Sequence, residues 1–219
     1  AHKMCLKKNA LGVINCPINK QLIKSGKIIG VTEYFASKNN IRNHSEAMMI
    51  YNKKFSVVPI TTHLNVRNIA KFIKKNLIIK KITTINNDFN NIFKKKPRIG
   101  ILGLNPHNAE FELNSEEIKE IIPAIKKLKK NKVNIVGPIV ADTAFINKYK
   151  KFDVIVGMYH DQVLGPFKTL FKFNAINITL GLKYIRISPD HGPAIDLIGK
   201  NKANPLSLFN CIKFFQNLR

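Results

Sequence analysis

Three short apolar runs, each followed by a histidine, constrain the fold of this chain most strongly. The runs and their histidines are residues 57–62 with His63, residues 99–106 with His107 and residues 154–159 with His160. Apolar runs of this length that alternate with helical patterns are typical of an α/β protein with a mostly parallel sheet. Parallel strands end at one shared edge, where open α/β sheets bind ligands. The three imidazoles therefore form a candidate metal site at that edge.

The residues around these histidines add support for a metal site, and a simpler alternative stays open. In that alternative each histidine is an ordinary, half-buried and hydrogen-bonded residue at a strand end. Against it, Pro106 stiffens the turn before His107, and four polar side chains, residues 159–162, directly follow the third run. Clusters of polar side chains at strand ends are typical of active sites.

The rest of the sequence continues the alternation of strands and helices. Strands are predicted at residues 11–15, 133–136, 175–180 and 184–188, and helices at residues 114–130, after Asp142 and at residues 206–217. Asn114 and Glu117 form a candidate N-terminal cap of the first of these helices, and Pro123 is expected to bend it. A loop rich in Gly, Pro and Asp precedes the closing helix. The pattern predicts a series of βαβ units.

The composition excludes several classes of protein. A chain of 219 residues, of which 45% are hydrophobic, can bury a substantial core. No apolar run reaches the roughly eighteen residues that a bilayer span needs. The three cysteines lack CxxC spacing and leave one unpaired, which argues against a disulfide framework or a thiolate zinc site. We therefore expect reduced thiols, a cytoplasmic location and no membrane partner.

The net charge of +24 ordinarily suggests a nucleic-acid partner. Here the excess is almost entirely lysine in short scattered clusters, arginine is scarce, and no interleaved aromatics form a stacking platform. The charge therefore indicates a solvated lysine-rich surface that attracts anionic substrates, and specific nucleic-acid binding ranks last among the alternatives.

Eight ordered motifs identify the family that the chain resembles. They are Cys16-Pro17-Ile18-Asn19-Lys20, Gly30-Val31-Thr32-Glu33-Tyr34, Thr61-Thr62-His63, Leu104-Asn105-Pro106-His107, Gly137-Pro138 with Ala141-Asp142-Thr143, Tyr159-His160-Asp161-Gln162, residues 177–182 and Asp190-His191-Gly192. Together they resemble the 4-hydroxythreonine-4-phosphate dehydrogenases of pyridoxal phosphate (vitamin B6) biosynthesis. The resemblance runs through nearly the whole chain.

The resemblance implies a divalent metal, zinc, magnesium or cobalt, held by the same three histidines, His63, His107 and His160. It also assigns a set of substrate contacts: Thr32, Lys168, Asn177 and Arg186. Lysine and arginine would supply donors and positive charge to a phosphorylated amino acid. Taken alone, either could be an ordinary surface charge. Asp161 and Lys20 are weaker candidates for proton transfer or for support of the metal ligands.

The loop after residue 190 also resembles the adenosine-binding loop of isocitrate and isopropylmalate dehydrogenases. This implies that NAD or NADP contacts His191, Gly192, Asp196 and Asn204. Without the resemblance, the loop would be interpreted as a plain connection. The implied reaction is metal-assisted oxidation of 4-phosphohydroxy-L-threonine with hydride transfer to the nicotinamide, followed by decarboxylation to 3-amino-2-oxopropyl phosphate.

The sequence departs from the family pattern at three places. Val31 replaces a substrate-contacting histidine, and the loss of such a donor typically costs about 1.5 to 3 kcal/mol. Asn15-Cys16 replaces a threonine-glycine pair, and Asn108-Ala109 replaces alanine-glycine, where the lost glycine is expected to strain a turn.

The family's members are about half as long again, which implies a truncated start and two α/β/α domains of which the first is incomplete. Residues 1–170 would form the metal- and substrate-binding domain, and residues 171–219 the C-terminal part of the nucleotide-side domain. Strands near Ile178 and Ile185 would then lack neighbours, and apolar surface would be exposed there. A homodimer with shared active sites is expected. The alternatives are a related dehydrogenase of another phosphorylated hydroxy acid and a non-catalytic remnant of the family.

Overall fold

An eight-stranded sheet forms the centre of the computed structural model, which describes residues 1–18, 30–41 and 43–218. The strands are β1 (Gly12–Ile14), β2 (Ala47–Asn52), β3 (Phe55–Pro59), β4 (Ile99–Leu102), β5 (Ile135–Ile139), β6 (Val154–Gly157), β7 (Ile176–Leu180) and β8 (Ile185–Pro189). Their order across the sheet is β1-β8-β7-β2-β3-β6-β4-β5. The pairs β1–β8, β3–β6, β4–β6 and β4–β5 are parallel, whereas β2 pairs antiparallel with β3 and β7, and β7 with β8.

Helices and single turns connect the strands. The helices are α1 (His2–Leu6), α2 (Val31–Lys38), α3 (Ile69–Phe72), α4 (Lys75–Phe93), α5 (Ile122–Lys130), α6 (Ala141–Ala144), α7 (His160–Phe171) and α8 (Leu206–Gln216). Turns of 3-10 helix cover Val66–Asn68, Pro106–Phe111, Lys148–Lys151 and Ile195–Leu197, and a π-helical turn covers Glu117–Ile121. No helix in these described ranges is both long and apolar enough to cross a membrane.

The predicted convergence of the three histidine-terminated runs on one edge is confirmed by the strand order. Strands β3, β6 and β4 are neighbours and all parallel, so His63, His107 and His160 follow their strands at the same edge. The α/β class is confirmed as well. The remaining predicted strands are present with boundaries shifted by one to three residues.

Two sequence-based expectations are wrong. Strands β7 and β8 do not lack neighbours, because β7 pairs with β2 and β8 pairs with β1. The predicted helix 114–130 is present, because helical residues run from 116 through the π-helical turn to 130, but its predicted cap is wrong. Ser115 rather than Asn114 takes that place, since the Ile118 backbone N–H donates to the Ser115 hydroxyl. Pro123 lies where this turn passes into α5.

The core lies on both faces of the sheet. Strands β3, β4 and β6 carry fully buried aliphatic residues in succession, as expected for parallel strands covered on both faces. One face packs mainly against α4 and α5 through Ile78, Ile82, Ile85, Ile125 and Leu128. The other packs against α7 through Val163, Leu164 and Phe167. This packing fixes the strand ends that carry the predicted site residues.

Candidate functional site

A cavity of about 350 Å³ lies beside β7, β8, α2 and α7. Eight of the predicted site residues line it: Thr32, His63, His160, Lys168, Asn177, Arg186, His191 and Gly192. Residues that the sequence analysis singles out far apart along the chain therefore border one cavity of the described chain. His107, Asp161, Asp196 and Asn204 are not among the lining residues. Lys20 lies outside the described residues.

His63 and His160 come together, with their ring centroids 6.1 Å apart. Each ring has a carboxylate at Nδ1: Glu33 Oε1 lies 3.4 Å from His63, and Asp161 Oδ1 lies 2.6 Å from His160. A carboxylate at one ring nitrogen holds the proton there and leaves the other nitrogen, Nε2, free to bind a metal. Glu33 and Asp161 thus each lie beside one histidine ring, and the supporting role of Asp161 stays a prediction.

His107 does not join this pair. It begins a left-handed turn in which the five non-glycine residues 107–111 all have positive φ, between 46° and 58°. The Asn108 side chain is buried beneath the turn, where its Nδ2 donates to the Pro138 carbonyl, whereas His107 is exposed. Among the described residues, no three His, Cys, Asp or Glu side chains are grouped to hold a metal. The described residues thus bring together two of the three predicted ligands, His63 and His160, and the metal site with His107 stays a prediction.

Arg186 is the most deeply buried charged group of the cavity, since its side chain on β8 is only 2% exposed. Its Nε donates to Asn15 Oδ1 at 2.6 Å, its Nη1 donates to Thr179 Oγ1 at 3.0 Å, and it lies over the Phe35 ring. All these partners are neutral, and no carboxylate of the described chain forms an ion pair with it. Burial lowers the pKa of Arg186 to about 10. A buried guanidinium without a counter-ion favours an anionic ligand.

Asn177 also lines this cavity and carries a buried polar atom without a hydrogen-bond partner in the described chain. Its Oδ1 is buried, and within the described part of the chain it accepts no hydrogen bond. Buried amide oxygens are normally paired, so an unpaired one that lines a cavity is available to a ligand donor. Thr32, also buried, lies in the first turn of α2 and borders the cavity beside Val31.

Lys168 has an internal partner that the sequence analysis missed. Its Nζ lies 2.7 Å from the Asp190 carbonyl oxygen and 2.8 Å from the Asp190 carboxylate, and 4.7 Å from the Phe173 ring centroid. Burial raises the pKa of Asp190, although the ammonium of Lys168 opposes this. Lys168 therefore reaches the cavity as half of an ion pair and contributes less net charge than Arg186.

The predicted cofactor residues divide into two groups. His191 and Gly192 line the cavity with the substrate residues. Asp196 is exposed on the following 3-10 turn. Asn204 Oδ1 accepts from the backbone N–H of Leu206, the first residue of α8. The structure thus gives Asn204 a structural contact, and its predicted role toward NAD stays a prediction.

Glu33 links α2 to His63 and was not predicted as a site residue. Its Oε1 accepts from the Thr62 hydroxyl at 2.8 Å. Burial would raise the pKa of Glu33, but hydrogen bonds from His63, its own backbone and Thr62 outweigh burial and hold the pKa at about 2. Gly30 makes this packing possible, because a Cβ there would lie 2.2 Å from Glu33 Oε2 and 2.8 Å from the His63 ring.

Comparison with known proteins shows the family of the chain. The model of the family described as pyridoxal phosphate biosynthetic protein PdxA matches residues 1–215. The chain belongs to this family. The 4-hydroxythreonine-4-phosphate dehydrogenase of Aquifex aeolicus is 43% identical over 216 residues, which cover 97% of this chain and 67% of the relative. A relative from Oceanobacillus iheyensis, with the provisional name D-threonate 4-phosphate dehydrogenase, is 37% identical over 91% of this chain and 61% of its own length.

Solved structures of the family have the same fold. The 4-hydroxythreonine-4-phosphate dehydrogenase of Klebsiella pneumoniae is 30% identical with a TM-score of 0.84, over 99% of this chain and 67% of that one. The isocitrate dehydrogenase of Methylococcus capsulatus is 10% identical with a TM-score of 0.62, over 99% of this chain and 70% of that one. This likeness shows a shared fold alone. Both the family and the wider fold predicted from the sequence are confirmed. The chain spans about two thirds of the length of the curated relatives it matches.

Proposed function

We propose that this chain carries out the NAD-dependent, metal-assisted oxidation and decarboxylation of 4-phosphohydroxy-L-threonine in pyridoxine 5'-phosphate biosynthesis. The observation that carries the proposal is the buried Arg186, which has only neutral partners among the described residues and lines the same cavity as the His63–His160 pair. A phosphorylated substrate would supply the missing counter-ion, and its reacting carbons would then lie toward the two imidazoles.

The chain's own groups have distinct roles in this proposal. The phosphate accepts hydrogen bonds from the Arg186 guanidinium and, secondarily, from Lys168. Asn177 Oδ1 accepts from a substrate donor, which pairs an otherwise orphaned oxygen. His63 and His160, oriented by Glu33 and Asp161, would hold a divalent cation, and His107 is their predicted third partner.

When bound, the cation supplies a Lewis acid for the substrate oxygen and the nicotinamide supplies a hydride acceptor. His191 and Gly192 border the same cavity, so they are the cofactor contacts that this proposal favours over Asp196 and Asn204.

The direct test is NADH formation by the purified chain with 4-phosphohydroxy-L-threonine, NAD and zinc, magnesium or cobalt. Unphosphorylated 4-hydroxythreonine is the matched substrate control. We expect turnover of the phosphorylated substrate only, and a loss of at least about tenfold in kcat/KM in Arg186→Met, because a hydrogen bond to a charged group is removed. Arg98→Met, at an exposed position, is the matched control.

Two outcomes would contradict the proposal. Equal turnover of the phosphorylated and the unphosphorylated substrate would show that Arg186 does not recognise a phosphate. Metal and phosphate binding without any NADH would favour the non-catalytic remnant of the family.

A second candidate, a dehydrogenase of another phosphorylated hydroxy acid, is favoured by Val31. An aliphatic side chain lines the cavity where the family has an imidazole, and the Oceanobacillus iheyensis relative is provisionally named for a different phosphorylated acid. Assays with D-threonate 4-phosphate beside 4-phosphohydroxy-L-threonine separate the two candidates.

The expected setting of this activity is a cytoplasmic homodimer. The cysteines of the described chain are all free, which supports a reducing compartment. NAD rather than NADP is part of the same proposal, and kinetic comparison of the two nucleotides tests it.

A further inference from the structure

The amide of Asn15 is one of the groups that hold the Arg186 side chain beside the cavity. Asn15 follows β1, and its backbone N–H donates to the Ile187 carbonyl on β8, the strand that carries Arg186. Its Nδ2 donates to the Cys16 carbonyl at 3.1 Å, which turns Oδ1 toward Arg186. The amide is therefore held from both sides, and a flipped amide would place an N–H against the Nε–H of arginine.

We infer that Asn15 is a positioning residue that presents the Nη end of Arg186 to a phosphate, an inference that rests on the proposed function. A guanidinium has five N–H donors. Asn15 occupies the Nε donor and Thr179 occupies one donor on Nη1. Within the described chain the other three donors, including both on Nη2, remain for the ligand. The side-on Nε–Nη2 approach is therefore blocked, and Nη2 with the remaining Nη1 donor is left for the anion.

The neutrality of Asn15 is as important as its geometry. A carboxylate of the same shape would accept the same hydrogen bond but would also give Arg186 a counter-ion inside the protein. Arg186 would then have less need of an external anion, because the buried charge would already be compensated. Asparagine orients the guanidinium and leaves its charge available. This explains the residue at a position where the family resemblance implies threonine, another neutral oxygen acceptor.

The experiment measures binding of inorganic phosphate by titration calorimetry to the wild-type chain and to Asn15→Asp, Asn15→Thr, Asn15→Ala and Arg186→Met. We expect affinity to fall by at least about tenfold in Asn15→Asp, to fall less in Asn15→Ala and to be retained within about threefold in Asn15→Thr. Asn9→Asp, at an exposed position in the turn after α1, adds the same charge away from the cavity and should bind like the wild type. NMR detection of the Arg186 Nε–H should show a slowly exchanging proton that is lost in Asn15→Ala.

Each result bears on the inference separately from the proposed function. Loss of phosphate binding in Arg186→Met, with unchanged binding in folded Asn15→Asp, would overturn the role of Asn15 and leave the proposed function intact. Unchanged binding in Arg186→Met would overturn the proposed function itself. Affinity losses that merely follow each variant's melting temperature, without the expected order Asp, Ala, Thr, would show that Asn15 acts only on stability. If Asn15→Asp does not fold, the Thr and Ala variants with the Nε–H signal still decide the question.

Discussion

At the scale of single residues, the cavity differs from the family pattern most clearly at Val31. Its side chain lines the cavity beside Thr32 but has no hydrogen-bonding group. We predict that Val31→His raises kcat/KM for the phosphorylated substrate by about tenfold to a hundredfold, since a donor to a charged group is worth about 1.5 to 3 kcal/mol. Val31→Ala is the control for a change of volume alone. Equal effects of the two variants would contradict a specific contact.

Glu33 gives a pH-dependent prediction. Its pKa in the folded chain is about 2, below the ordinary value of 4.5, so ionised Glu33 stabilises the fold above about pH 4.5. That contribution is lost as the pH falls from about 4.5 toward 2. We predict that Glu33→Gln lowers the free energy of unfolding by about 1 to 3 kcal/mol at neutral pH, and by less near pH 2. Urea unfolding across this range measures the difference, with exposed Glu112→Gln as the control.

The residue scale also shows what sequence motifs can and cannot predict. Thr32, Asn177 and Arg186 line the cavity, and the family resemblance assigns each of them individually. The contacts of Glu33 with His63 and of Asn15 with Arg186 join residues 30 and 171 positions apart, and no local pattern encodes them. These contacts depend on how the strands and α2 are placed in the fold, so only the structure shows them.

At the scale of elements, the left-handed turn at residues 107–111 is the main local strain at the site. Each non-glycine residue in this conformation costs about 1 kcal/mol. We predict that Ala109→Gly stabilises the chain by about 0.5 to 1 kcal/mol, measured by thermal or urea unfolding. Ala194→Gly, at another alanine with positive φ, should give a similar gain.

Cation affinity is a second measurement on the two glycine variants. Neither variant should increase it, because glycine favours the observed turn, in which His107 does not group with His63 and His160. Tighter cation binding by Ala109→Gly alone would contradict this.

Glu117 explains why the predicted cap of the helix 114–130 was wrong. The fully buried carboxylate does not close a capping box but accepts from the backbone N–H groups of Leu104 and Asn105 at 2.7 and 2.9 Å. It thereby ties the loop after β4 to the π-helical turn. The spacing of Asn114 and Glu117 predicts a cap within the helix. It does not show that the Glu117 carboxylate accepts from the loop after β4 instead. The antiparallel β2 was missed for a similar reason, since its place between β3 and β7 is a property of the whole sheet.

At the scale of the whole molecule, α8 presents an apolar outer face. Leu206, Phe209 and Ile212 are 40 to 52% exposed, and a cavity beside β1 continues this face through Leu11, which is 63% exposed. Contiguous apolar surface of this kind favours association. We predict that the chain self-associates and binds a hydrophobic dye, as size-exclusion chromatography and dye fluorescence would show.

The double variant Phe209→Ser with Ile212→Ser should reduce both properties without a large loss of stability. Leu113→Ser, at an isolated exposed leucine, is the matched control. A monomer that binds no dye would contradict the expectation of exposed apolar surface.

Strand β1 is only three residues long and, within the described sheet, pairs with a single neighbour. Such an outermost strand frays easily, yet the residue that follows it holds the guanidinium at the cavity. Binding of an anion in the cavity and pairing of β1 with β8 are therefore thermodynamically linked. Phosphate should slow amide hydrogen exchange at Val13 and Asn15. Exchange at this outermost strand would then measure how much of the cavity is occupied.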